Sequence, residues 1–337
     1  TVAFRGDEKS SSPESADLLA ALWTNSASQE EWTAALESAG YADAADIANT
    51  IVEFARSPAQ RQIDVAAQKR LALFIPSLLL VTRGRKQPGV VFARTLSVIS
   101  QILRRSAYVA LLNENPPVLE RLIDLCGQSA YLAAEIARYP LLLDELLDPR
   151  LYTAQISAVD MRRDLDDGLA QIDDADSETR IEALALFKRT TLFRITVTDV
   201  VGNLPIMKVS DALTDLAELV LDEALNIAWE DLAAVHGEPQ FDSGDGMKKA
   251  GFGVIAYGKL GGIELSYGSD LDLVFLHNSL APGQTAGGDK PIDNNIFFSR
   301  LVRRLVHFLT AQTGSGALYE VDTRLRPSGN SGLLVVS

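Results

Sequence analysis

Two aspartates separated by one residue begin an apolar run late in the chain, Asp270 and Asp272 in Ser-Asp-Leu-Asp-Leu-Val-Phe-Leu. Side chains alternate along a β-strand, so both carboxylates point to one face and the apolar residues to the other. Like charges this close repel unless a cation or a shared proton compensates them, and a hard cation with oxygen ligands is the natural partner. On this pattern alone, an exposed strand end whose aspartates bind water or turn amides is the preferred interpretation.

A second acidic segment changes that balance. In Tyr-Glu-Val-Asp-Thr-Arg-Leu-Arg-Pro, the same alternation places Glu320, Asp322 and Arg324 on one face. If this strand pairs beside the first, Asp322 completes a cluster of three carboxylates able to hold two Mg²⁺ ions. Two such ions about 4 Å apart can activate an attacking hydroxyl and stabilise a leaving pyrophosphate. Because phosphoryl-type transfers depend on positioning and charge neutralisation, the sequence predicts a site for that chemistry.

A glycine-rich turn, Gly258-Lys-Leu-Gly-Gly262, precedes the aspartates. Such a turn can bring backbone N–H groups close to phosphates, although glycine turns also occur for purely steric reasons. A P-loop is excluded, because the residues before Gly258 have a strand pattern and Leu260 stands where a magnesium-binding Ser or Thr is needed.

Arginines on the second acidic segment are candidates for binding a triphosphate. Arg324 and Arg326 are tied by strand geometry to Asp322, although ion pairing with Glu320 or with the acidic cluster itself is the structural alternative. A basic face on a predicted helix, with His307 among Arg300, Arg303 and Arg304, is more typical of a solvated stripe. The chain has only three histidines, far apart in sequence, so a zinc site or a serine-histidine triad is poorly supported.

The elements that must position these residues change character along the chain. From about residue 17 to about Gly237 the spacing is almost uniformly helical. The clearest helix is predicted over Asp211 to Val235, capped by Ser210 and ended by Gly237 and Pro239. After the turn-rich 242–246, short β-type runs take over, with one helix from Asp293 to Thr313. The predicted strands are Gly253 to Tyr257, Leu271 to His277, Ala317 to Thr323 and Leu333 to Val336.

The resulting prediction is an α+β chain with a small mixed or antiparallel sheet flanked by helices. We expect a polar linker or tail over 1–16, a helical domain over 17–203 and a catalytic domain over 204–337. The absence of an initial methionine and the abrupt end after an apolar run suggest an excised piece of a longer protein.

Composition excludes several classes of protein. Of 337 residues, 47% are hydrophobic and 23% charged, as in ordinary globular proteins. The net charge of −14 argues against nucleic-acid binding; residues 251–337 hold seven basic and seven acidic residues, so the acidic excess lies upstream. The apolar stretch Leu71 to Val81 contains Pro76 and is too short to span a membrane, so we expect it in the core. The single cysteine, Cys126, is expected to be buried, and a cytoplasmic location is the default.

The spacing of these motifs resembles the polymerase-β-like nucleotidyltransferase superfamily, in that Gly258-Lys is followed after ten residues by Asp270-x-Asp272 and later by a single aspartate. Lys259 stands where many members have serine. The longer segments Gly-Lys-Leu-Gly-Gly-x-Glu-Leu and Tyr-Glu-Val-Asp-Thr-Arg-Leu-Arg-Pro-Ser-Gly resemble the bacterial glutamine synthetase adenylyltransferases, which both attach and remove AMP. The likeness continues upstream through 137–148 and 204–211 and covers most of the chain beyond about residue 90.

The resemblance implies a reaction and roles for residues. AMP passes from ATP to a tyrosine of glutamine synthetase, and pyrophosphate is released. Two Mg²⁺ ions are implied, bound by Asp270 and Asp272, with Asp322 completing the site of the ion that activates the nucleophile and accepting the proton. The implied nucleotide-binding residues are Gly258, Lys259, Gly261, Gly262, Ser269, Arg324 and Arg326.

The residues in and around these motifs resemble the C-terminal, adenylylating half of that family's enzymes. This likeness rests on Tyr257 before the glycine turn, on Tyr267, and on Asp322 followed by Pro327-Ser328. The family's later helical region is absent, and a PII-type signal protein is a further candidate partner. Two alternatives remain open: the adenylyl-removing half, which releases ADP by phosphorolysis, and a non-catalytic regulatory module that receives signal proteins.

Overall fold

The chain is described here by a computed structural model over residues 13–103, 105–152, 156–172, 176–279, 283–326, 329 and 332–336. It divides into two compact units, Thr1–Leu151 and Tyr152–Ser337. Most of the predicted tail, 1–12, lies outside the described residues, and the first helix begins at Pro13.

The first unit consists of short helices with well-defined starts. Pro88 and Pro116 stand in the first turns of their helices, where a missing N–H costs no intrahelical bond. Ser28 and Glu31 form a reciprocal capping box at another start. The helices are α1 Pro13–Thr24, α2 Gln29–Ser38, α3 Ala44–Arg56, α4 Pro58–Arg61, α5 Val65–Thr82, α6 Pro88–Ile102, α7 Ser106–Glu114, α8 Pro116–Gln128 and α9 Ala130–Arg138, followed by 3₁₀ helices Pro140–Leu147 and Pro149–Tyr152.

The apolar stretch Leu71 to Val81 lies in α5 and supplies core residues, as predicted. Leu71, Phe74 and Ile75 are at most 1% exposed. Cys126 in α8 is a free, fully buried thiol, which confirms its predicted role as a small core residue. Within the part of the chain that is described, no helix is long and apolar enough to cross a membrane.

The second unit begins with three long helices, and α12 differs from its prediction. Pro205 precedes it in an extended conformation, so the helix already begins at Ile206 and Ser210 lies inside it instead of capping it. Its predicted end is confirmed, because Gly237 adopts a φ of +79° that stops the helix. The helices are α10 Ala158–Leu169, α11 Ser177–Val200, α12 Ile206–His236, α13 Gly258–Gly261 and α14 Asn294–Thr310. A catalytic domain beginning at residue 204 remains a prediction.

A first sheet was not predicted from the sequence. Its central strand β1, Gly237–Asp242, pairs antiparallel with β2, Met247–Lys249, and with β5, Gly283–Gly287. The turn-rich 242–246 closes the β1–β2 hairpin, where Ser243 N–H donates to the carbonyl of Gly246.

The second sheet carries the predicted acidic residues. Strand β3, Phe252–Tyr257, runs antiparallel to β4, Leu271–His277, along its full length. Two short strands, β6 Val321–Asp322 and β7 Val335–Val336, pair parallel with β4. Since β3 fills one edge of β4, both short strands share the other edge. The α+β class and the small mixed sheet are therefore confirmed.

Two predicted strands are shorter than expected. Strand β6 covers only part of 317–323, because Tyr319 N–H donates to the carbonyl of Leu309 and a turn at Arg324 ends the pairing. Only the last two residues of 333–336 form β7. Helix α14 ends at Thr310, before the predicted Thr313, and Asp293 caps its start.

One face of this sheet packs against the helices. Leu271, Leu273 and Phe275 are at most 1% exposed, and Phe252 stacks between Phe275 and Phe298 of α14 at centroid distances of 6.2 and 5.7 Å. Each fully buried side chain of this size contributes about 1.5–3 kcal/mol. This burial fixes which face of β4 turns away from the core, and Asp272 lies on that face.

Candidate active site

The carboxylate of Asp272 is held by its neighbours in β4. Leu271 and Leu273 on either side are completely buried, so alternation forces Asp272 to the opposite face. Asp272 is half-buried there, and Asp270, just before the strand, is exposed. The predicted alternation of β4 is thus confirmed.

The structure brings Asp322 to the side of Asp272. Strands β4 and β6 are parallel, with Asp272 opposite Asp322 in register, and Leu271 N–H donates to the carbonyl of Glu320 at 2.9 Å. Neighbouring strands lie about 4.8 Å apart. The strand pairing on which the three-carboxylate cluster depended is therefore present.

Arg324 neutralises this cluster in the structure. Its Nε donates to both carboxylate oxygens of Asp322, at 3.0 and 2.7 Å, its Nη2 makes a further short contact, and its backbone N–H donates at 2.8 Å. These hydrogen bonds lower the pKa of Asp322 below its ordinary value. The same contact raises the pKa of Arg324, with smaller contributions from the charges of Asp272 and Asp270. Ion pairing with the acidic cluster, the alternative to triphosphate binding, is therefore the arrangement of Arg324 in this structure. Its guanidinium interacts with the charges of all three aspartates.

The glycine turn is shaped around Asp272. Gly258 has a φ of +55°, and a Cβ there would lie 2.0 Å from Oδ2 of Asp272. A Cβ on Gly261 would lie 2.5 Å from the carbonyl oxygen of Ala256. Gly262 is less crowded, with 3.3 Å to the carbonyl of Gly258. The first two positions require glycine, because any side chain would displace the carboxylate or the backbone.

The remaining predicted nucleotide-binding residues surround this turn. Lys259 is exposed on α13. Ser269 closes a turn, in which its Oγ accepts from Ser266 N–H at 3.1 Å. Arg326 turns back towards its own loop and donates from Nη1 to the carbonyl and hydroxyl of Thr323 at 2.7 and 2.8 Å. Pro327 and Ser328 lie outside the described residues.

A tether to α11 holds the loop that leads into β4. The hydroxyl of Tyr267 donates to Asp199 Oδ2 at 2.9 Å. The sequence singled out Tyr267, but not its partner, because residues 68 positions apart give no local signal.

The histidines form no joint site. His236 is buried and bonds to the carbonyl of Lys290 at 2.7 Å and to Arg300 Nη1 at 3.0 Å, and His277 stacks on Phe298. The predicted solvated stripe on α14 is confirmed, since Arg300, Arg303, Arg304 and His307 are all exposed. Arg304 also pairs with Asp231 at 2.6 Å.

The donor set suits a hard cation. Asp270, Asp272 and Asp322 offer only carboxylate oxygens, which Mg²⁺ prefers, and the guanidinium of Arg324 already compensates their charge. Among the described residues, no group of three or more His, Cys, Asp or Glu side chains has an arrangement that would hold a metal ion as it stands. Side-chain rearrangement around Arg324 is therefore part of any metal binding here.

Carboxylates on neighbouring strands beside a tight glycine turn are an arrangement that metal-assisted phosphoryl and nucleotidyl transfer can use. The profile of the glutamate-ammonia ligase adenylyltransferase family matches residues 119–337. The chain therefore belongs to that family.

The chain is also similar to curated proteins whose names describe a bifunctional enzyme of this family. The bifunctional glutamine synthetase adenylyltransferase/adenylyl-removing enzyme of Thioalkalivibrio sulfidiphilus is 42% identical over 320 residues, which is 95% of this chain and 33% of that protein. The enzymes of the same name from Pseudomonas putida and Pseudomonas aeruginosa are 44% and 43% identical, over 94% of this chain and 32% of each relative. The chain thus spans about a third of the length of these relatives.

Proposed function

We propose that this chain carries an adenylyl-transferring site, which moves AMP from ATP to a tyrosine hydroxyl of glutamine synthetase and releases pyrophosphate. One observation carries the proposal: Asp272 and Asp322 lie opposite each other on adjacent strands, against a glycine turn that leaves room for the carboxylate, in a chain of this family.

The reaction balances without any further reactant. The tyrosine oxygen bonds to the α-phosphorus of ATP while the bond between that phosphorus and the bridging oxygen of the β-phosphate breaks. Pyrophosphate leaves with that oxygen, and the hydroxyl proton passes to a carboxylate oxygen of Asp322, which lies opposite Asp272. Two Mg²⁺ ions, when bound by Asp270, Asp272 and Asp322, supply charge neutralisation for the triphosphate.

Arg324 has two roles in this proposal. It neutralises Asp322 before substrates bind, and its exposed guanidinium then turns to the triphosphate, which it binds together with Lys259. Exposed ion pairs of this kind contribute little to stability. The exchange of partners is therefore energetically accessible.

The bifunctional name of the relatives favours one second candidate, the phosphorolytic removal of AMP from modified glutamine synthetase. The two directions are distinguished by incubating the chain with α-labelled ATP and unmodified glutamine synthetase, and separately with phosphate and the labelled, modified form. Transfer of label supports the first proposal, and phosphate-dependent release of labelled ADP supports the second.

Asp272→Asn tests the chemistry itself, and Asp245→Asn, in the exposed β1–β2 turn, is the matched control. Loss of transfer only in the first variant supports the proposal. A regulatory module without a site predicts that titration of the chain with Mg²⁺ and ATP shows no binding. A PII-type signal protein remains a further proposed partner of this chain.

A further inference from the structure

The outer edge of β3 has no partner strand. Asn278 N–H donates to the carbonyl of Gly251 at 3.2 Å, which identifies a hydrogen-bonded pair and fixes the phase of the β3–β4 ladder. By alternation, the N–H and C=O groups of Phe252, Val254 and Ala256 point away from β4. Gly261 of the glycine turn lies against the carbonyl of Ala256, so the open part of the edge is at Phe252 and Val254. Among the described residues, no strand pairs with this edge.

Such an edge is unusual in a natural protein. Exposed strand edges are normally protected by charged residues, proline or a covering element, because they recruit other strands. The sequence of β3, Phe-Gly-Val-Ile-Ala-Tyr, contains neither charge nor proline. An uncharged edge of this kind, open at Phe252 and Val254, is the geometry used when a domain binds an extended peptide as an additional strand.

A groove of about 600 Å³ borders this edge. Val254 and Ala256 of β3 and Leu260 of α13 line one side, and Leu219 and Leu225 of α12 line the other. These residues give the groove an apolar floor that suits alternate side chains of an extended segment. We call it the β3 groove.

The wall of the β3 groove is acidic. Asp215, Glu218 and Asp222 of α12 line it, together with Arg162. Arg162 pairs with Asp222 at 2.9 Å, which leaves Asp215 and Glu218 to set the local charge. Burial and the nearby charge of Asp211 raise the pKa of Asp215, so a cation placed there relieves repulsion.

We propose that the β3 groove binds an extended, basic segment of the protein acceptor, which pairs with the outer edge of β3 as an additional strand. The inference rests on the proposed function. The acidic wall repels the anionic nucleotide and favours Lys or Arg side chains, so the occupant is a peptide segment and not ATP.

The position of the groove fits an acceptor. Tyr257, at the end of β3, lies directly opposite Asp272. An added strand lies about 4.8 Å from β3 and therefore about 10 Å from the backbone of β4. Val254 and Ala256 lie opposite Phe275 and Leu273, so the groove is on the face of the sheet away from Asp272. Side chains of the docked segment that enter the groove therefore alternate with side chains that point to the face of the carboxylates.

Glu218→Lys tests the charge of the groove without disturbing the core, because Glu218 is exposed. Asp245→Lys makes the same charge change in the β1–β2 turn and is the control. The readout is AMP transfer to intact glutamine synthetase. We expect Glu218→Lys to raise KM for glutamine synthetase about fivefold, the scale of a single lost charge contact, with KM for ATP unchanged and the control like wild type. Equal KM values for glutamine synthetase in all three proteins would overturn the proposal.

A second measurement does not depend on turnover. Hydrogen–deuterium exchange of 252–257 in the wild-type chain is compared with and without glutamine synthetase. Protection of this segment that is weaker in Glu218→Lys at a subsaturating concentration of glutamine synthetase supports the proposal. The absence of protection in the presence of glutamine synthetase overturns the proposal. Protection that rises with the concentration of the chain alone also overturns it, since the groove is then occupied by a second copy. A chain that shows this protection but transfers no AMP contradicts the proposed function and leaves the groove supported.

Discussion

Gly258→Ala is the substitution that most directly links the backbone to the proposed chemistry. The residue has a φ of +55°, and the new Cβ would lie 2.0 Å from Oδ2 and 3.0 Å from Cγ of Asp272. A left-handed conformation costs a non-glycine residue about 1–2 kcal/mol. Because ordinary carbon contacts need about 3.5 Å, the carboxylate must also move by more than about 1 Å.

A shift of that size at a reacting centre costs about 100-fold in rate. We therefore expect Gly258→Ala to lower kcat for AMP transfer by about 100-fold or more, while the free energy of unfolding falls by only about 1–2 kcal/mol. Steady-state AMP transfer and urea unfolding measure the two quantities. Calorimetric titration with Mg²⁺ and ATP should show weaker binding by the same variant.

Gly244→Ala separates backbone strain from the clash. Gly244 has a φ of +87°, and a Cβ there would meet nothing within 4 Å. Its variant should lose similar stability and keep wild-type transfer. The reasoning is refuted if Gly258→Ala stays within threefold of wild type, or if both variants lose activity to the same extent.

Three further outcomes are expected. Asp270→Asn and Asp272→Asn should each reduce AMP transfer by at least about 1,000-fold, because each removes a metal ligand, with an unchanged circular dichroism spectrum; near-normal transfer by either purified variant would contradict the assigned roles. Arg324→Gln should raise the pKa of Asp322 towards its ordinary value, which carboxyl ¹³C NMR can follow. Because the pKa of Asp322 is depressed in the folded chain, the stability linked to its ionisation is present above the unfolded-state pKa and is lost as the pH falls through the folded-state pKa. An unchanged titration of Asp322 in the variant would show that the contact is absent in solution. Burial raises the pKa of Cys126 to about 11, so the folded chain should not react with a thiol reagent at pH 8 until urea unfolds it; rapid labelling without urea would show that the thiol is accessible.

The sequence predicted well those features that depend on nearby residues. The alternation in β4 placed Asp272 opposite a buried face, and Gly237 marked the end of α12. It predicted poorly those features that depend on distant pairing. Strand β1 has one clear apolar residue, Phe241, and along most of its length its partner is β5, more than 40 residues later. For the same reason, the sequence predicted that Asp272 and Asp322 lie side by side only if their two strands pair.

Side-chain partners formed the second limit. Alternation predicted that Arg324 lies on the same strand face as Asp322, but the strand ends at Asp322. Whether the guanidinium faces the carboxylates or a ligand depends on the turn that follows. Asp322 accepts the backbone N–H of Arg324 at 2.8 Å, so the same turn that shortens β6 also aims the guanidinium at the cluster. A strand continuing through Thr323 would have carried Arg324 further along the sheet.

The position of Arg324 in this turn is compatible with both proposed roles, neutralising Asp322 and binding the triphosphate. Its side chain is 74% exposed, while that of Asp322 is only 14% exposed, so the carboxylate stays fixed and the guanidinium is free to move into solvent. If the arginine were buried instead, displacing it would leave an unpaired charge at high cost. Because water can solvate the released guanidinium, binding of a cation to the carboxylates and of a triphosphate to Arg324 reinforce each other. We therefore expect Mg²⁺ and ATP to bind more tightly together than separately, and loss of this coupling in Arg324→Gln is its specific signature.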